Sequence, residues 1–473
     1  MFIYFCFGAI YMRKHYHFIG IGGTGLSAIA RVLLEQGNSV SGSDMLLSPL
    51  AAELQNAGAT VYKGHRAEQV QGADIVIRSS AIKDDNVEVQ AALTAGIPVL
   101  KRIDFLSELT KGHTLIAIAG THGKTTTTAM TAWVFDQLHL DPTYIIGGTA
   151  KNLHRNAHAG QGAYFIIEAD EYDSMFLGLT PDYLIITNVE HDHPDCYPTR
   201  ESYITAFKKL IQRMDHNGTM LICADNPQAL KIGKWAQDLV DVHFYGTSPQ
   251  AQYSLSNIQH RENDGVRFHL QLSHGNVITQ ELSIPGDYNA RNASAVLALI
   301  DHLNLSLNGA SQALAAFSGT GRRFDILGTF QGITLIDDYG HHPTEIRSTI
   351  GAARAQYPKQ RLITVWQPHT YSRTQELFND YLDVFTDSDM VIVTEIYASR
   401  EKVQDYSSQL IANQIHHKNV HFIASLADTT AFLGSELKDG DVVLILSAGD
   451  ANQINQDLRK LLTQTINERG KHV

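Results

Sequence analysis

One feature constrains this chain more than any other: a strand, a glycine turn and a helix follow one another twice. The first copy is His17-Phe18-Ile19, a turn over residues 20–25 and a helical stretch over 26–36. The second is an apolar run over 115–119, the turn Gly120-Thr121-His122-Gly123-Lys124-Thr125 and a helix to about Leu138. Such a turn gathers backbone N–H groups and a helix N-terminus at one point, where an anion is stabilised. Short apolar runs at 39–43, 59–62 and 75–77, and then at 165–167 and 184–187, alternate with helical stretches and predict βαβ units with parallel sheets. Residues 241–283 read as strand-like pieces, a helix is expected over 289–303, and alternation resumes from about Phe324 with runs at 333–336, 362–365 and 390–393. The expected fold class is α/β in three domains. These are an N-terminal Rossmann-like parallel-sheet domain (12–111), a central P-loop ATPase-like α/β domain (112–321) and a C-terminal Rossmann-like α/β domain (322–473).

Composition narrows the class of partner. A formal net charge of −12 without a Lys/Arg cluster argues against nucleic acid and anionic membranes. Cys6, Cys196 and Cys223 are too few and scattered for a disulfide framework, which points to the cytoplasm. Residues 1–11 are apolar but lack the leading basic residues and small cleavage-site residues of a secretory signal. We therefore expect the native start near Met12.

Gly20-Ile21-Gly22-Gly23-Thr24-Gly25, with Asp44 ending the next strand, fits a dinucleotide fingerprint, and on this motif alone an NAD site is the plainest reading. The second turn reads as a phosphate loop. Its amides would cradle ATP phosphates, Lys124 would meet the β/γ oxygens and Thr125 would ligate magnesium, although the common spacing would require glycine at Ile118. Glu168 and the run Glu190-His191-Asp192-His193-Pro194-Asp195 end neighbouring strands of the same sheet. Glu168 suits Mg²⁺ and His193 a second ion; a zinc hydrolase and an exposed acidic loop are the competing readings.

Taken together, residues 17–27, 41–44, 79–82, 119–127, 168–173, 187–190, 192–193, 319–325, 337–345 and 367–374 make the chain resemble the Mur ligases, in order across all three segments. The resemblance implies that the first turn holds a UDP-sugar rather than a nicotinamide, with Gly22, Gly23, Gly25, Ser27, Asp44, Ser79 and Ser80 around it. It implies that Gly120, Thr121, His122, Gly123, Lys124, Thr125 and Thr126 hold ATP, and that Thr125, Glu168 and His193 hold magnesium. Asn292 and Tyr339 would meet the adenine, Asp338 the ribose, and Arg323 the transferred phosphate. His341, His369 and Arg373 would form an amino-acid pocket, where an arginine fork suits a carboxylate. Lys124, His193, Arg323 and His341 would be the catalytic set. By residue type alone, His341 and His342 read equally well as a turn with two solvated imidazoles.

The branch implied joins L-alanine to the lactyl carboxylate of UDP-N-acetylmuramate, as a monomer or homodimer that binds neither nucleic acid nor membrane. The nearest alternative attaches a tripeptide to the same sugar; an NAD-dependent dehydrogenase and a nucleotide-binding regulator are readings from other classes. Two departures stand out. Thr370 occupies a place where many relatives have arginine, and the lysine that some members carbamylate is not identified between Lys208 and Lys209.

Overall fold

The computed structural model describes residues 13–261 and 265–469, so the expectation for residues 1–11 lies outside the described residues. Three sheets follow one another along the chain. The first is a five-stranded parallel sheet with His15–Ile19 at its centre, flanked by Ser39–Asp44 and Ile75–Arg78 and edged by Thr60–Lys63 and Val99–Lys101. Its central strands are buried on both faces, and the polar side chains this encloses are paired: Ser41 Oγ lies 2.8 Å from His17 Nδ1 and Ser43 Oγ donates to Glu88.

The second sheet has ten strands. Its parallel heart is Thr114–Ala119 between Tyr164–Glu168 and Tyr183–Ile186, with the helix Lys124–Gln137 packed alongside. The strand-like pieces expected over 241–283 form the antiparallel series Tyr253–His260, Val266–Gln271 and Val277–Leu282. A hairpin, Thr143–Ala150 with Arg155–His158, extends the opposite end and was not legible in the sequence. The first-domain helix Thr24–Glu35 packs on that hairpin, where the Glu35 carboxylate accepts the Ala159 N–H at 2.9 Å and lies 2.8 Å from His158 Nδ1. One apolar core therefore runs from Phe18 and Phe105 into Phe165 and Phe207, joining the first two sheets.

The third sheet is parallel except at one edge, where Asp325–Phe330 pairs antiparallel with Ile333–Asp338. No helix among the described residues is long and apolar enough to cross a membrane.

Candidate active site

Because Thr114–Ala119, Tyr164–Glu168 and Tyr183–Ile186 run parallel, the segments after them emerge at one edge of the sheet. Gly120 sits there at φ +134, and a Cβ on it would come 2.0 Å from Thr187 Oγ1. Only glycine fits. Thr187 Oγ1 donates to the His122 carbonyl at 2.6 Å and the His122 N–H donates to Asn188 Oδ1 at 2.9 Å, so the loop is fastened to the next strand. Lys124 Nζ curls back to donate to the Gly120 carbonyl at 2.6 Å and lies 2.8 Å from Glu171, whose side chain is buried. Burial disfavours the ammonium, but Glu171, Asp170 and Glu168 override it and raise its pKa.

Thr125 Oγ1 donates to Glu168 Oε1 at 3.1 Å, and the Gly147 N–H donates to Oε2 at 2.8 Å. Burial raises the Glu168 pKa despite the Lys124 charge and these hydrogen bonds. A half-buried carboxylate and a hydroxyl side by side make the donor set that a hard divalent cation takes. His193 turns through φ +54 and brings Nε2 to 3.8 Å from Glu171 Oε1. Lys124, Thr125, Glu168 and His193 line a cavity of about 630 Å³.

The first domain reaches the same cavity through Thr24, Gly25 and Arg102, which donates to Asp170 Oδ2 at 3.2 Å. A Cβ on Gly25 would lie 1.8 Å from Arg102 Nη1. Farther round the turn, the Gly22 N–H donates to Asp44 Oδ2 at 2.9 Å and Ser27 Oγ donates to the Thr24 carbonyl at 3.0 Å. Ser79 packs under Gly20 and Ser80 is exposed. Gly22, Gly23, Ser27, Asp44, Ser79 and Ser80 do not line the cavity itself.

A second cavity, of about 330 Å³, opens on the other flank of the loop and is lined by His122, Gly123, Thr126, Asn292 and Asp338. Asn292 stands so close that a Cβ on Gly123 would come 2.9 Å from its Oδ1. Asp338 accepts the Phe324 and Gly340 N–H groups, each at 2.7 Å, and burial raises its pKa to about 6 against the pull of Arg323. Tyr339 does not join this pocket. It faces the larger cavity with the Arg322 and Arg323 guanidinium groups 5.1 and 5.0 Å from its ring, and Tyr288 supplies the aromatic face beside Asn292 instead. Arg323 lines both cavities.

His341, His369 and Arg373 come together on the larger cavity, with the two rings 5.6 Å apart. Neither imidazole carries charge near neutrality: burial and then Arg373 lower His341 to about 3, and burial, His341 and Arg373 lower His369 to about 2. The Arg373 fork is already engaged, with Nε at 2.9 Å and Nη2 at 2.8 Å from Asp192 Oδ1 and Nη1 at 2.9 Å from His369 Nδ1. Arg400, which the sequence did not single out, brings a second cation to this cavity, 2.7 Å from Asp195 and 4.3 Å from the Tyr172 ring. Neither Lys208 nor Lys209 lines it, and Lys208 lies over the Trp235 ring at 4.8 Å.

Two competing readings fail on geometry. The run from Glu190 to Asp195 does not converge as a zinc cluster, since Asp192 turns to Arg373, Asp195 to Arg400 and His191 to the Tyr197 carbonyl. His341 and His342 are not solvated, because His342 is 6% exposed and both imidazoles are held among Glu190, Glu345 and neighbouring rings. Glu345, the last residue of the 337–345 run, was not singled out. It lies 3.2 Å from His122 Nδ1 and 3.4 Å from Arg323, joining the C-terminal domain to the phosphate loop.

Descriptions of three known domains match in succession: "Mur ligase family, catalytic domain" over residues 15–114, "Mur ligase middle domain" over 118–300 and "Mur ligase, glutamate ligase domain" over 322–449. A UDP-N-acetylmuramate--L-alanine ligase of Roseiflexus sp. (strain RS-1) is 38% identical over 469 residues, covering 95% of this chain and 99% of its own. The chain belongs to the Mur ligase family. Another member, the UDP-N-acetylmuramate--L-alanine ligase of Desulforamulus reducens, is 39% identical over 459 residues, covering 95% and 98% of the two chains. Among solved Mur ligases, the UDP-N-acetylmuramate-alanine ligase of Thermotoga maritima superposes with a TM-score of 0.81 at 28% identity, covering 96% of this chain and 100% of that one. The murein peptide ligase of Psychrobacter arcticus gives 0.70 at 25% identity, covering 95% and 98%.

Proposed function

We infer that this Mur ligase uses ATP to form an amide between L-alanine and the lactyl carboxylate of UDP-N-acetylmuramate, supplying a peptidoglycan precursor in the cytoplasm. The observation that carries this reading is the shared cavity, on which the first-domain turn, the phosphate loop and the His341–His369–Arg373 group all open. The three sheets, confined to residues 15–101, 114–282 and 325–446, support domain junctions near 111/112 and 321/322.

Residues 120–126 hold the triphosphate, with Asn292, Asp338 and Tyr288 around the nucleoside. Glu168 and Thr125 would hold one magnesium ion and His193 a second, and such ions would supply charge that offsets the repulsion between triphosphate and carboxylate. Lys124 leaves Glu171 for the β/γ oxygens, while Arg323 meets the phosphoryl group in transfer. The lactyl carboxylate oxygen attacks the γ-phosphorus and ADP departs, leaving an acyl phosphate. The neutral amine of alanine attacks the acyl carbon, the C–O bond to phosphate breaks, and inorganic phosphate leaves as the amide forms and the amine loses a proton. Uncharged His341, whose Nδ1 donates to the Tyr339 carbonyl and leaves Nε2 as an acceptor, takes a hydrogen bond from that amine without repelling it, and Arg373 and Arg400 set the positive field for the alanine carboxylate. Closure of the three domains keeps water from the acyl phosphate.

The higher TM-score with the alanine ligase than with the murein peptide ligase favours a single amino acid over a tripeptide. The test is phosphate release from ATP with UDP-N-acetylmuramate and either L-alanine or the tripeptide. Release that requires L-alanine supports the reading, and release with the tripeptide alone overturns it.

A further inference from the structure

We propose that His122, Glu190 and His342 form a further metal site, apart from the magnesium positions, for a borderline ion such as Zn²⁺, where the Gly120–Thr125 turn meets the C-terminal domain. Glu190 Oε2 lies 3.3 Å from His122 Nε2 and 3.9 Å from His342 Nδ1, and the three donor atoms all fall within 4.8 Å of one another. Zinc bonds of 2.0–2.1 Å in a tetrahedron separate ligand atoms by about 3.3 Å, so small side-chain shifts close the site. The sequence could not place these groups together, since the phosphate loop, the strand end and the C-terminal helix start are far apart along the chain.

The surroundings are also those of a metal ligand. His122 Nε2 is buried with no aligned hydrogen-bond partner, although the Glu190 oxygen is near. On the opposite side of the ring, Nδ1 lies 3.2 Å from Glu345 Oε1. A carboxylate on the far nitrogen orients a ligating imidazole and raises its basicity. His342 Nδ1 now accepts a long 3.3 Å hydrogen bond from the Thr344 N–H, and a metal would take over that lone pair. Two imidazoles and a carboxylate favour zinc or cobalt over magnesium, in contrast to the oxygen donors of Glu168 and Thr125.

Because His122 and Glu190 come from the central domain and His342 from the C-terminal one, an ion here staples the two together at the rim of the nucleotide cavity. Such a staple would bar ATP from that cavity, and only this consequence rests on the ligase reading; binding of the metal does not.

The experiment titrates the full chain with Co²⁺ alone, without nucleotide. One equivalent with the intense visible absorption of tetrahedral cobalt, displaced by Zn²⁺, is the expected result. Glu190→Gln and His342→Ala should each weaken binding by at least ~10-fold. His302→Ala, which disrupts the separate surface group of Asp241, His243 and His302, should leave it unchanged. A weak six-coordinate spectrum, native affinity in either ligand variant, or loss of the signal in His302→Ala would overturn the site. If either ligand variant fails to fold, zinc X-ray absorption of the unaltered chain decides: two imidazole shells support the site, and an all-oxygen shell refutes it.

Discussion

The two glycine turns start from the same backbone and arrive at different chemistry. Each follows a parallel strand and opens a helix with no acidic residue in its first turn, so each offers amides and a positive helix end to an anion. In the first turn the Gly22 N–H is already taken by Asp44, and the nearest cation, Arg102, comes from another helix and faces Asp170. In the second, Lys124 stands inside the turn among Glu168, Asp170 and Glu171. Glycine spacing decides where a phosphate can rest. The charged side chains around it decide whether that phosphate is only held or also transferred.

Lys124→Ala attacks the contrast at its strongest point. Turnover should fall by roughly 10²–10³-fold or more, the thermal midpoint should drop as well because buried Glu171 loses its cation, and near-native phosphate release would erase the distinction between the turns. Glu168→Gln should raise the magnesium needed for half-maximal rate by ~10–100-fold, read from a Mg²⁺ titration. Gly25→Ala probes the other turn, because its Cβ would displace Arg102. The KM for UDP-N-acetylmuramate should rise about 10-fold with the KM for ATP nearly unchanged, and equal effects on both would show that the turns do not divide the work.

A smaller effect lies in pH. Burial opposes the charge on His122, but Glu345 and Glu190 raise its pKa from 6.5 to about 9. Its stabilising contribution is complete below 6.5 and is lost as pH climbs towards 9. Glu190, lowered from 4.5 to about 2 by His122 and Thr344 against burial, contributes above 4.5 and loses that contribution as pH falls towards 2. The native midpoint should therefore drop between pH 6.5 and 9 more than that of His122→Asn, and parallel curves would remove His122 from the account. Smallest of all, Lys208→Ala should change turnover by less than about 2-fold, since the side chain only covers Trp235.

Much of this architecture could be read from residue order. Strand and helix periodicity located the Gly120–Thr125 turn between a strand and a helix, and parallel neighbours forced Glu168 and His193 to its edge. What could not be read depends on contacts distant in sequence. Arg373 and Asp192 are 181 residues apart, Arg400 and Asp195 are 205 apart, and no local pattern announces either pair. Glu345 left a trace, because it stands three residues after His342 in a capping-box arrangement at the start of the helix Pro343–Gln356. Its contact with His122 depends on how two domains meet. Tyr288 was not singled out for the same reason: it and Tyr339 both flank polar turns, and only the domain packing shows that Tyr288 lines the cavity beside Asn292 while Tyr339 lines the larger one.

The most direct test of the central claim follows the oxygen of the sugar acid. With UDP-N-acetylmuramate labelled by ¹⁸O in its lactyl carboxylate, ATP and L-alanine, the account predicts inorganic phosphate carrying one ¹⁸O for each amide formed. Unlabelled phosphate accompanying amide formation would contradict an acyl phosphate made at this site.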